Sequence, residues 1–431
     1  MTILKLALAL RASANRTCSC LGALAACAIL VAASSAYGQA LSSPWVELGD
    51  GGKAIARIVV SGPQDCPAIH ISADSRQMSV RQPIPPGLRP VCEFEIPSEA
   101  KSASINGQTL TLPTPNPTRV IALGDTGCRI KGKRAQDCND AEVWPFRQIA
   151  ASAASEKPEL IIDVGDYVYR ESPCPAGSEA MCGGTPIGDN WEAWNIDFFS
   201  PGAKLLAAAP WVFTRGNHED CERAWRGWFY YLDPRPWNGA CAEYTAPYKV
   251  KLGTFELAVI DASAAKEDDF DEAQAATYAA QLTSLDPVNG WLVVHYPFWG
   301  FKTDPHGGPP VSLVASLQSA WEKAAPEGIS MILSGHIHLF EFVSVDHGRP
   351  AQIVVGVGGT EMAVPIEMSV KGTKIRGATV TGTESQQKFG YTVLSRSNSS
   401  WNLELRDRGR KVLVSCPIAE GSTGCQGSGN N

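Results

Sequence analysis

Five short apolar runs in this chain each end on acidic, amide or imidazole side chains, and no other feature restricts the fold as much. Arg119–Leu123 leads into Gly124-Asp125-Thr126-Gly127. Leu160–Val164 leads into Gly165-Asp166-Tyr167-Val168-Tyr169. Trp211–Thr214 leads into Arg215-Gly216-Asn217-His218-Glu219. Trp291–Val294 runs directly into His295, and Met331–Leu333 into Ser334-Gly335-His336-Ile337-His338. Short runs without polar alternation read as strands buried on both faces. Phe255–Ile260 and Ile353–Val355 read the same way. Helical patterns fall between them at Ala141–Ser155, Glu272–Leu285 and Leu313–Ala324. The expectation is an α/β layered fold whose strands deliver polar side chains at their C-terminal ends, where open sheets bind ligands. The glycines permit tight turns and close backbone approach there.

The delivered set is chemically coherent. Asp125, Asp166, Tyr169, Asn217, His295, His336 and His338 offer carboxylates, a phenol, an amide oxygen and imidazoles. Such donors suit first-row metals, iron, manganese or zinc among them. Seven ligands are too many for one tetrahedral ion and suit two ions sharing a carboxylate. A pair roughly 3.5–4 Å apart can clamp the attacking and leaving oxygens of a displacement at phosphorus.

GDTG, GDYVY, GNHE, VVH and GHIH, in this order, resemble the five blocks of the calcineurin-like metallophosphoesterases over about residues 118–360. Within that superfamily the pattern is most similar to the purple acid phosphatases. The usual first block ends in a metal-binding histidine, and here Gly127 occupies that place. The second block offers Tyr169 three residues after its aspartate, as the purple branch does. The resemblance implies a four-layer αββα sandwich. It puts Asp125, Tyr169 and His338 on Fe(III). It puts Asn217, His295 and His336 on a divalent Fe, Zn or Mn, with Asp166 bridging. The expected activity is hydrolysis of small phosphomonoesters, with a metal-activated hydroxide attacking phosphorus in line. Two alternatives stay open: a phosphodiesterase or nucleotide hydrolase on the same metals, and a non-catalytic binding protein on the same fold.

His218 follows the ligand Asn217 and should face the same cavity, to bind a phosphate oxygen or protonate the leaving alcohol. His306, in the loop Asp304-Pro-His-Gly-Gly-Pro-Pro310, is a candidate substrate histidine, because the purple branch often has one in this region. Asp163 reads as a structural hydrogen-bonding group and Arg215 as half of a salt bridge. His70 and His347 have no partner motif. The tryptophans of residues 191–237 read mainly as packing. The Cys174–Cys182 loop follows the Tyr169 block and is a candidate rim of the pocket.

The first 38 residues read as a signal peptide. Lys5, Arg11 and Arg16 precede a small, apolar stretch at 17–33, and Ala36-Tyr37-Gly38 offers a cleavage site after Gly38 or Ala40. A retained anchor and a lipoprotein site at Cys27 are the other readings. Thirteen cysteines less Cys18, Cys20 and Cys27 leave ten. They fall as neighbours Cys66/Cys92, Cys128/Cys138, Cys174/Cys182, Cys221/Cys241 and Cys416/Cys425. Five local disulfides in a secreted or periplasmic protein are expected. Residues 39–112 carry short alternating runs such as Ala54–Val60 and read as a small antiparallel β domain. A Pro-rich linker at 113–117 separates it from a catalytic domain at 118–416, which closes in a β-hairpin from Phe389 to Cys416. A Gly/Ser-rich tail at 417–431 follows. A net charge of −7 with 19% charged residues shows no nucleic-acid surface, and no segment beyond the leader could cross a membrane.

Overall fold

The computed structural model describes residues 40–184, 186–304, 306–398, 400–418 and 424–427. The proposed leader and most of the tail lie outside the described residues. Among the described residues, no helix is long and apolar enough to cross a membrane.

Two large mixed sheets carry the architecture. The first has eleven strands among the described residues. Its middle holds Arg119–Leu123, Leu160–Asp163 and Trp211–Phe213, all parallel. Register aligns Leu123 with Asp163 and Asp163 with Phe213, so these strands finish level. The second sheet has eight strands among the described residues. Its parallel part is Phe255–Val259, Gly290–Val293, Ile329–Ser334 and Ala351–Val355.

Alternation along these strands divides the apolar residues into layers. Val120, Ala122, Leu160, Ile162 and Val212 pack in one core with Leu257, Val293, Leu333 and Ile353 of the other sheet. Ile121, Leu123, Ile161 and Trp211 face outward onto the helices Phe146–Ser155 and Ser200–Leu206 and the Trp191–Phe199 segment. Ala258, Leu292, Ile332 and Val354 face the helices Glu272–Leu285 and Ala315–Ala324. The result is a helix–sheet–sheet–helix sandwich, as expected. Residues 191–237 supply the outer packing, with Tyr167, Phe198, Trp194, Trp211 and Trp228 in mutual ring contact. Over residues 191–206, Trp191, Trp194, Phe198, Phe199, Leu205 and Leu206 recur at helical spacing and are all buried in this layer.

The N-terminal part differs from a free-standing β domain. A small antiparallel sheet exists, formed by Ala68–Ile71, Asp74–Gln77, Ala103–Ile105 and Gln108–Leu110. However, Trp45–Leu48, Ala54–Val59 and Val91–Ile96 join the edge of the first large sheet. Trp45–Leu48 lies parallel to Trp211–Phe213, with Glu47 opposite Trp211. The described residues all fall in one compact unit. The Pro-rich segment docks through Asn116, whose N–H donates to the Leu252 carbonyl and whose Oδ1 accepts from Thr254. The chain closes on a meander, Tyr391–Ser397, Ser400–Arg406 and Val412–Ile418, rather than a single hairpin. All five expected cysteine pairs are joined.

One buried acid lies outside this logic. Glu341 is 2% exposed on the strand Phe340–Val345, and it accepts the Phe301 N–H at 3.0 Å. Its Oε1 is buried without a partner among the described residues. Burial pushes its carboxyl from 4.5 up to about 8. A carboxyl raised on folding stabilises fully below its unfolded pKa and loses that contribution as pH rises through the folded value. Glu341→Gln should therefore raise Tm by a few degrees near pH 9 and leave it nearly unchanged near pH 5. Thermal melts at the two pH values test this, and an equal shift at both would rule out the ionisation argument.

Candidate metal centre

The level C-terminal ends of the first sheet deliver Asp125, Asp166 and Asn217, with Tyr169 just beyond. The second sheet delivers His295 directly after Gly290–Val293 and Val294, then His336 and His338 after Ile329–Ser334. The seven residues expected as ligands converge in two overlapping groups. In the first, Tyr169 Oη lies 3.0 Å from Asp125 Oδ1, 2.8 Å from Asp166 Oδ2 and 3.1 Å from His338 Nε2. In the second, Asn217 Oδ1 lies 3.0 Å from both His295 Nε2 and His336 Nδ1. Asp166 Oδ2 stands 3.2 Å from His295 Nε2 and so touches both groups. Ligand atoms of Asp166, His295 and His336 all fall within 4.8 Å of one another.

The backbone pays for this convergence in strain. Asp125, Asp166 and His336 sit at φ of 56°, 65° and 70°, in the left-handed region. Asp and His tolerate that region better than most residues, at a cost of about 1–3 kcal/mol each. Hydrogen bonds hold the turns: Asp125 N–H donates to the Gly165 carbonyl, and Thr126 N–H to that of Asp166. The Glu219 carboxylate collects the N–H groups of Asp166, Tyr167 and Val168 at 2.9–3.2 Å. Glycine is required where the loops touch. A Cβ on Gly216 would stand 2.0 Å from Asp166 Oδ1, and one on Gly335 would stand 2.4 Å from Asp125 Oδ2. A Cβ on Gly127 would meet the Tyr167 carbonyl at 2.6 Å and Tyr169 Cδ2 at 2.9 Å. The Tyr169 ring thus fills the room that a side chain at 127 would need.

The donor chemistry fits cations. His295 Nδ1 is 2.7 Å from the Val164 carbonyl, and His338 Nδ1 is 2.7 Å from that of Glu361. A carbonyl only accepts, so each Nδ1 carries hydrogen and the neutral ring turns a bare Nε2 inward. His336 Nε2 faces Glu267 at 3.2 Å, which leaves its Nδ1 bare toward Asn217. Bare nitrogens thus point at amide and carboxylate oxygens about 3 Å away, an arrangement that repels unless positive charge lies between. The same demand appears in titration. Burial disfavours charge on His295, yet Asp166 drives it up to about 9. Burial would raise Asp166, yet His295 and His218 hold it well below the ordinary carboxylate range. Burial, with Asp125 and Asp166, pushes the Tyr169 phenol far up, so its ionisation needs a neighbouring cation.

A cavity of about 550 Å³ opens onto Asp166, Asn217, His218, His336 and His338. His218 lines it, 6% exposed, with Nδ1 2.5 Å from Glu171 Oε1 and its ring 3.8 Å from that of Tyr169. Asp163 Oδ1 accepts the Gly165 N–H, and Arg215 pairs with Asp261 at 3.1 Å, both as expected. His306 is not brought to the cavity. It is exposed, and its N–H donates to Asp304 Oδ1. The Cys174–Cys182 loop does not line the cavity either; residues of the Cys128–Cys138 hairpin do. Glu171 and Glu267 touch site histidines and were missed. Glu171 was within reach of a sequence argument, two residues past Tyr169. Glu267 arrives from a loop with no signal of its own.

The family model of the calcineurin-like phosphoesterases matches residues 118–340, just over half the chain. The chain belongs to that family. This phosphoesterase is therefore metal-dependent in kind, and its phosphoester chemistry follows from the family. A purple acid phosphatase from yellow lupin (Lupinus luteus) seeds is similar in fold, with a TM-score of 0.54 and 13% identity. That match covers 87% of this chain and 74% of the lupin protein. PhoD is also similar in fold, with a TM-score of 0.55 and 12% identity, the match covering 92% of this chain and 93% of the other. No curated protein matches in sequence.

Proposed function

We propose that the chain is a dinuclear phosphomonoesterase of the purple acid phosphatase type, exported to the periplasm or beyond the cell. The observation that carries this reading is the pair of donor groups sharing Asp166, one of them containing a tyrosine. Asp125, Tyr169 and His338 would hold one ion, expected as Fe(III), and a hard phenolate suits that ion. Asn217, His295 and His336 would hold a divalent Fe, Zn or Mn, with Asp166 between. When bound, the two ions would neutralise the phosphate oxygens and acidify water. The protein's own residues do the rest. Glu219 fixes the Asp166 loop, the carbonyls of Val164 and Glu361 fix the imidazole tautomers, and His218 faces the leaving group. The ten mature cysteines, paired in five disulfides, support the oxidising compartment.

The test is metal analysis with a visible spectrum, alongside phosphate release from p-nitrophenyl phosphate. Two metals per chain, a broad visible charge-transfer band and phosphate release are expected, and Tyr169→Phe should abolish the band. Two metals without the band would remove Fe(III)–tyrosinate and leave a zinc or manganese phosphoesterase. A chain that binds no metal would sink the reading.

A further inference from the structure

An acidic chain that binds phosphate esters needs a local positive field, and the cavity wall carries one. Arg129, Lys131, Arg134, Arg223 and Lys302 all line it. Three of these are committed to acids. Lys131 pairs with Glu171 at 2.9 Å, Arg223 with Asp220 at 2.7 Å, and Lys302 with Glu267. Arg129 and Arg134 have no carboxylate partner among the described residues. Arg129 Nε is also buried without a hydrogen-bond partner. A buried guanidinium N–H left unpaired is unfavourable, so it is poised for an acceptor.

These two arginines are held, not floating. They sit on a hairpin in which Ile130–Lys131 pairs with Arg134–Ala135 and Lys131 stands opposite Arg134. Alternation puts Arg129 on the same face as Lys131, while Ile130 is buried on the other. The Cys128–Cys138 disulfide closes the hairpin. Ile130 N–H donates to the Tyr169 carbonyl at 3.0 Å, and Gln136 Nε2 to the Gly359 carbonyl at 2.8 Å. The hairpin is thereby tied to the chain segment that carries a metal ligand.

We infer that Arg129 and Arg134 form a second anion subsite, so that the preferred substrate is a phosphate ester carrying another phosphate or comparable anion beside the scissile one. The inference rests on the phosphoesterase reading of the metal centre. Guanidinium groups bind phosphate in forked, charge-assisted pairs, and pre-ordered donors lose little entropy on binding. A neutral alcohol moiety offers them nothing.

The test compares glucose 1,6-bisphosphate with glucose 6-phosphate on the metal-loaded full chain, with total phosphate release as the readout. The wild type should favour the bisphosphate in kcat/KM by about tenfold or more, the scale of one good charge-assisted contact. Arg129→Gln/Arg134→Gln should bring that ratio down to about two, the statistical value for two esters against one. Arg134→Glu, on an exposed residue that folding does not need, should invert it. Added salt should shrink the wild-type ratio, since Arg134 is exposed to screening. Equal kcat/KM on the two esters in the wild type, or a ratio unchanged by the variants, overturns the subsite alone. A wild type that hydrolyses neither ester overturns the phosphomonoesterase reading and the subsite with it.

Discussion

Asp166→Asn is expected to lower kcat/KM on p-nitrophenyl phosphate by at least about 10³-fold and to reduce bound metal below two per chain. Two ions supply several kcal/mol of charge stabilisation at phosphorus, and each 1.36 kcal/mol is a factor of about ten in rate. Asp166 places a carboxylate oxygen within 3.2 Å of a side-chain donor atom in each group, Tyr169 Oη and His295 Nε2. The amide keeps the shape but removes the charge and can turn an N–H toward the cluster. Its effect on stability separates a metal role from a folding role. Without metal, Asn removes the carboxylate that His295 and His218 stabilise, so the variant should melt below the wild type in chelator at neutral pH. With metal, the wild type should gain stability by mass action and the variant much less. Paired melts in chelator and in metal check this. A variant that keeps two metals and activity within tenfold of wild type would end the bridging assignment.

The parts of this molecule that could be read in one dimension share a cause. Asp125, Asp166, Asn217, His295, His336 and His338 each follow a buried strand by four residues or fewer, so local grammar places them. The strand Arg119–Leu123 and the helix Glu272–Leu285 were legible end to end because the strand is buried almost throughout and the helix repeats its burial every three to four residues. Tertiary placement was not legible. Trp45–Leu48 reads as part of an isolated β domain until Glu47 is seen beside Trp211, a pairing that no local pattern encodes. Glu267 reaches His336 only because the loop after Phe255–Val259 folds back over the site. The basic hairpin at 128–138 looks like an ordinary disulfide loop in sequence. Its role becomes visible when Ile130 bonds to the Tyr169 backbone and its cations line the cavity. His306, a histidine at a suggestive distance along the chain, ends up exposed and outside the cavity lining.

His218→Asn should cost about 10²-fold or more in kcat on an alkyl phosphate and about tenfold or less on p-nitrophenyl phosphate. The difference follows from the leaving group. An alkoxide departs only if protonated as the P–O bond breaks, whereas nitrophenolate departs unaided. On the proposed reading His218 supplies that proton. Its ring lies against Tyr169, Nδ1 meets Glu171, and Nε2 stands 3.8 Å from Asp166 Oδ2. Burial pulls the imidazole below its ordinary pKa, and Asp166 and Glu171 pull it back. Glu171 is a positioning residue in this scheme. With Nδ1 in ion-pair contact with the Glu171 carboxylate, a proton on Nε2 is the one delivered to the ester. Glu171→Gln should therefore reproduce the leaving-group dependence in weaker form, and Glu171→Asp should recover part of it. If His218→Asn slows both esters equally, the histidine holds a phosphate oxygen instead of donating a proton. If it slows neither, the cavity wall that ends the reaction lies elsewhere, and Arg223, next to Glu171, becomes the group to remove.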